Sequence, residues 1–127
     1  MITKFNRCLL IDDNPLDNYT HELLIYKTNF ANDVVALESC EEALLALKTG
    51  SIKPDVIFLD INMPVMNGFE FLEKYAKLDL NKESVKIFTL SSSLNPLDID
   101  RANQSPYISK YIQKTLTEEK LQELMKF

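Results

Sequence analysis

With 127 residues, 46% of them hydrophobic and 26% charged, the chain has room for one ordinary core and hardly for two. A formal net charge of −5 argues against direct binding to nucleic acid, which needs a basic face. Apolar runs of about five residues cannot span a bilayer, and the opening "MITKFNRC" lacks the apolar centre of a signal peptide.

Cys8 and Cys40 are too few for a disulfide framework and lack metal-ligand spacing, so both read as reduced core or near-core residues of a cytoplasmic protein. No internal repeat, low-complexity tract or linker breaks the chain. The expected organisation is one domain over residues 1–127, with no output domain.

The first apolar run is "RCLLI" (7–11), and two adjacent carboxylates, Asp12 and Asp13, follow it. A helix is predicted next. Pro15 can take its first position, and Leu16, Tyr19, Leu23, Tyr26 and Phe30 recur at spacings that predict its inner face. His21, within this helix, is expected at the surface. "DVVAL" (33–37) is a second strand. Ser39 with Glu42 has the pattern of a capping box, Ala43, Leu44 and Leu47 share a face, and Gly50 is a natural stop.

"DVIFL" (55–59) is the third strand, closed by Asp60. Gly68 then precedes a helix whose inner face would be Phe69, Leu72, Tyr75 and Ala76. "VKIFTL" (85–90) is the fourth strand and runs into Ser91. Asn95-Pro96 opens a short polar helix to about Asn103. "YISKYI" (107–112) is the fifth strand and ends near Lys114. Thr117, followed by Glu118 and Glu119, opens a last helix with Leu121, Leu124 and Met125 inward.

Five strand–helix units in alternation predict an α/β fold with a doubly wound parallel sheet covered on both faces. Ligands bind such a sheet beyond the carboxyl ends of its strands. Asp12, Asp13, Asp60, Ser91 and Lys114 all fall at those ends. Three carboxylates together repel and resist desolvation, and a hard cation such as Mg²⁺ resolves the conflict. A lysine and a hydroxyl beside Mg²⁺ suit the oxygens of a moving phosphoryl group, and a carboxylate can itself be the nucleophile.

These pieces resemble, from about Arg7 to Phe127, the receiver domain of two-component response regulators. They are the acid pair, "DINMPVMNG" (60–68), "LSS" (90–92) and Lys114, in order across five units. The resemblance implies a flavodoxin-like sheet of order 2-1-3-4-5 with five helices, an order the family's chemotaxis member exemplifies. It implies Asp60 as phosphoacceptor, served by a histidine kinase or a histidine phosphotransfer protein. Asp13 and Asp60 would offer carboxylates to Mg²⁺, Asp12 would act partly through water, and the backbone carbonyl of Asn62 would complete the protein ligands. Lys114 would pair with Asp60 and then with a phosphoryl oxygen. Ser91 and Tyr111 would be the switch residues that alter the surface for a downstream protein target, or the phosphoryl group would pass onward in a phosphorelay, and Met63-Pro64 and Gly68 would shape the acceptor loop.

Two departures stand out. Thr115 follows Lys114 where the family usually has proline, and "NQSPYIS" replaces the usual small or glycine-containing segment before the fifth strand. A cis bond to a residue other than proline costs about 3–4 kcal/mol, while one charged contact returns about 1.5–3 kcal/mol. The expected Lys114–Thr115 bond is therefore trans.

Three other readings compete with this one. A receiver fold that only binds a partner, without phosphorylation, would keep the same sequence. An aspartyl-phosphate phosphohydrolase would want an acid two residues after its nucleophile, where this chain has Asn62. A flavodoxin-like electron carrier would need a phosphate-cradling loop after the first strand, and "DDNP" would repel the phosphate.

Overall fold

The computed structural model describes residues 4–127; the first three residues of the opening segment lie outside them. Five strands, β1 (Phe5–Ile11), β2 (Ala31–Leu37), β3 (Val56–Leu59), β4 (Lys86–Ser91) and β5 (Ile108–Gln113), alternate with five helices. These are α1 (Pro15–Lys27), α2 (Cys40–Thr49), α3 (Gly68–Tyr75), α4 (Pro96–Gln104) and α5 (Glu118–Leu124). The strands form one parallel sheet of order β2-β1-β3-β4-β5, the expected doubly wound arrangement.

Because successive strand residues point to opposite faces, each strand feeds two cores. Cys8, Leu10, Phe58, Phe88 and Leu90 point to the side covered by Ile25 of α1 and by Leu121 and Leu124 of α5. Leu9, Ile11, Ile57, Leu59 and Ile87 point to the side covered by Ala43 and Leu47 of α2 and by Phe71, Leu72 and Tyr75 of α3. A smaller cluster of Ile61, Phe69 and Ala102 seats α4, with Tyr111 against it. No helix among the described residues is long and apolar enough to cross a membrane. Both cysteines are free and buried.

The helix starts follow their local chemistry. The Asn14 side chain accepts from the amides of Leu16 and Asp17, and Pro15 begins α1. Ser39 caps α2 through the Glu42 amide, and Gly50 ends it at φ 76°. Asn67 and Glu70 cap each other at the head of α3. Thr117 caps α5 through the Lys120 amide.

Two expectations about α1 are corrected. Leu16, Tyr19, Leu23 and Tyr26 face outward, and Leu16 is 69% exposed; Asn18, His21 and Ile25 face inward. His21 is therefore no surface residue, at 4% exposure. The physical reason is that the head of α1 stands over the acidic strand ends, where polar side chains are needed. The Asn18 amide donates to the Asp12 carbonyl. Only Phe30, beyond the helix, is buried as the stripe predicted. On the outward side the Tyr26 hydroxyl accepts from the Val34 amide, so the helix closes a backbone group on the edge strand β2.

The expectation of a trans Lys114–Thr115 peptide is also corrected: the bond is cis. That expectation weighed a single contact by the lysine. In the structure the Lys114 amide donates to the Ser91 carbonyl at 2.8 Å, and the ammonium meets three carboxylates. Backbone and side chain are thus held at once.

Candidate functional site

The order β2-β1-β3 reverses the winding of the chain between β1 and β3, and the acids lie at that switch point. The Asp12 amide donates to the Leu37 carbonyl, and the Asp60 amide donates to the Ile11 carbonyl at 2.9 Å. Each acid is thereby clamped to the end of the neighbouring strand. Carboxylate oxygens of Asp12, Asp13 and Asp60 lie within 4.8 Å of one another. Asp12 and Asp60 are buried and Asp13 is exposed.

Gly68 makes the loop after Asp60 possible. A Cβ there would stand 2.8 Å from both the Asp60 carbonyl oxygen and the Ile61 Cα, and the Gly68 amide donates to the Ile61 carbonyl. The loop between them carries buried Met63, packed on the Cys40 sulfur, and Val65 at φ 67°. The Asn62 backbone amide turns back to donate to Asp60 Oδ1, which fixes one carboxylate oxygen.

Lys114 enters from the end of β5. Its ammonium donates to Asp12 at 2.7 Å, to Asp17 at 2.9 Å and to Asp60 at 3.4 Å. The expected pairing with Asp60 is present, as the longest of the three. Burial opposes the lysine's charge, but the hydrogen bonds to Asp12 and Asp17 outweigh it and hold the ammonium above its ordinary pKa. For Asp60, burial is the largest influence and pushes its carboxyl up to about 6; Lys114 and the Asn62 amide pull it down, and Asp12 pushes it up.

Ser91 is fully buried at the end of β4. Its oxygen accepts from the Asn62 side-chain amide at 3.3 Å and from the Ser93 amide at 3.0 Å. Tyr111 is half-buried, and its hydroxyl donates to the Ser93 carbonyl at 2.8 Å. The two expected switch residues are thus joined through the single residue Ser93.

Asp17, Asn18 and His21 join the site without a motif that marks them. All three lie at or near the head of α1, and the only signal available was an acid in the first helical turn. Burial is the largest influence on His21 and lowers its pKa; Asp17 and Asp12 raise it and Lys114 lowers it.

The donor set suits a hard divalent ion. It is all oxygen, it includes two buried carboxylates, and its third member, Asp13, is open to solvent, so waters can complete the shell.

The chain is similar to known proteins over nearly its whole length. The family profile described as the response regulator receiver domain matches residues 8–126. The chemotaxis protein CheY of Thermotoga maritima is 25% identical over 120 residues, covering 94% of this chain and 98% of that protein. A two-component response regulator of Oryza sativa subsp. indica is 30% identical over 126 residues; the match covers 94% of this chain but only 54% of that protein. The crystal structure of a two-component response regulator from Cytophaga hutchinsonii superposes with a TM-score of 0.86 at 30% identity, covering 96% of this chain and 95% of that one.

Proposed function

The chain belongs to the response regulator receiver domain family, and from that premise we propose that it is a phosphoacceptor signalling domain of the cytoplasm, modified at Asp60. The carrying observation is the meeting of three carboxylates within 4.8 Å with an ammonium 3.4 Å from one of them. Asp12, Asp13 and Asp60, with the backbone carbonyl of Asn62, would hold Mg²⁺. When bound, the ion offsets the negative charge of phosphoryl oxygens.

In the proposed reaction a carboxylate oxygen of Asp60 forms the new bond to phosphorus. The phosphorus–nitrogen bond of a phosphohistidine donor breaks, and its electron pair leaves with the imidazole. The Asn62 backbone amide donates to Asp60 Oδ1 at 3.1 Å, while Oδ2 takes only the longer contact from Lys114 at 3.4 Å and is the less tightly held oxygen. Lys114 supplies positive charge beside it without giving up a proton. The donor would be a histidine kinase or histidine phosphotransfer protein, and the chain would itself catalyse only its own phosphorylation and dephosphorylation.

The modified acceptor would then act on a downstream protein target. Ser91 would exchange its Asn62 contact for a phosphoryl oxygen. That change would reach Tyr111 through Ser93, and so reach the face of α4 and β5. Exposed apolar residues lie in the segments that follow the site residues: Leu16 after Asp13, Val65 after Asp60, and Leu94 and Leu97 after Ser91. They offer a protein partner an apolar margin to the charged centre.

The test is exposure to acetyl phosphate and Mg²⁺ with intact-mass detection. One added phosphoryl group, lost in Asp60→Asn, supports the reading. No mass change in the wild-type chain would refute it and leave a receiver fold that works by binding alone.

A further inference from the structure

A lysine ammonium has three protons to donate, and here each meets a carboxylate. Asp12 and Asp17 hold it at 2.7 and 2.9 Å, while Asp60 stands off at 3.4 Å. The ammonium therefore rests on the α1 side of the site. Asp17 is not one of the three clustered acids. Its backbone is placed by the Asn14 cap, whose side chain accepts from the Asp17 amide. Its side chain retains 36% exposure, against 6% for Asp12 and 8% for Asp60.

We propose that Asp17 is a positioning residue that tethers the Lys114 ammonium away from the acceptor and so sets how fast Asp60 is phosphorylated. The inference rests on the reading of Asp60 as phosphoacceptor. The proton that faces Asp60 can serve a phosphoryl oxygen, but to close that long contact the ammonium must leave the α1 side and stretch its bond to Asp12 or to Asp17. Asp12 is poorly placed to yield: it makes the shortest of the three contacts and is buried, so water does not readily take the lysine's place there. Asp60 is the reacting group and offers the longest contact. Asp17 alone of the three can be received by water on release. It is the partner that gives way, and the rate of uptake contains the cost of that exchange.

The experiment compares Asp17→Asn, Asp17→Glu, Lys114→Met and the Asp17→Asn/Lys114→Met pair, each exposed to acetyl phosphate and Mg²⁺ and followed by intact mass. Asp17→Asn is expected to take up phosphate about two- to fivefold faster, the range spanned by an ion pair with one partly exposed partner. The gain should vanish when Lys114 is already Met, and Asp17→Glu should return the rate toward wild type. An equal gain in the Lys114→Met background overturns the proposal, because Asp17 would then act through charge alone. An unchanged or slower Asp17→Asn overturns it as well.

Nitrogen-15 NMR of the Lys114 ammonium in the unphosphorylated chain tests the tether separately. A changed shift and faster proton exchange in Asp17→Asn are expected, and an unaltered signal overturns the tether. A wild-type chain that takes no phosphoryl group overturns the acceptor reading and the rate-setting role together, and the NMR signal alone then reports whether the tether exists.

Discussion

Asp60 is held in a place that suits its neighbours better than its own charge. Its carboxyl is pushed up from an ordinary 3.8 to about 6, chiefly by burial. Between those values the folded chain binds more protons than the unfolded chain, so this group's contribution to stability falls as pH rises from about 4 to 6. Asp60→Asn, which cannot ionise, should therefore be more stable than wild type by about 2–3 kcal/mol at pH 7 without Mg²⁺, with no advantage below pH 4. Urea unfolding at several pH values measures this, and a constant difference across pH would contradict it. His21 acts in the opposite sense. Burial lowers its pKa, so its contribution is present above 6.5 and is lost as pH falls through the folded value. Val65 is a β-branched residue at φ 67° and 91% exposed, a conformation that costs such residues about 1–2 kcal/mol and asparagine less. Val65→Asn should raise stability by roughly 1 kcal/mol in the same assay.

Among the elements, α1 shows where pattern and burial part. Its apolar stripe has helical spacing, yet the fold turns that stripe outward and turns Asn18, His21 and Ile25 inward. Two substitutions test the assignment. Ile25→Ala should cost about 2–5 kcal/mol, as a fully buried aliphatic does. Leu23→Ala should stay within about 0.5 kcal/mol, as an exposed change does. Equal losses from the two would mean the helix is rotated. In α3 the first residue is the critical one. The Gly68 Cβ position collides with the backbone on both sides of the Asp60–Ile61 peptide, and backbone has nowhere cheap to go. Gly68→Ala should lower stability by about 1–3 kcal/mol and slow the proposed phosphorylation of Asp60, read by melting temperature and intact mass.

At the scale of the molecule, the sheet brings together acids separated by 47 residues in sequence and a lysine 54 residues further on. The site stores like charge, so a cation bound there should stabilise the whole fold by mass action, by about 2.7 kcal/mol at a hundredfold excess over its dissociation constant. Mg²⁺ should raise the melting temperature of the wild type. Asp13→Asn, which removes the solvent-facing carboxylate, should blunt that rise while changing the metal-free protein little. An equal Mg²⁺ response in the two proteins would count against Asp13 as a ligand.

Much of this was legible before folding was considered. Five short apolar runs separated by capped helices already imply a parallel sheet, because strand and helix periods and their end signals are local properties of the chain. Acids at the ends of the first and third runs, with Lys114 after the fifth, imply a charged site because the carboxyl ends of parallel strands share one edge. The outward turn of Leu16, Tyr19 and Leu23, the burial of His21, the cis Lys114–Thr115 peptide and the hold of Asp17 on Lys114 were not legible. Each depends on what a neighbour distant in sequence demands. The head of α1 is rotated to serve polar strand ends, and the lysine's path is set by three carboxylates at once. Local periodicity carries no information about either, and only the assembled sheet decides them.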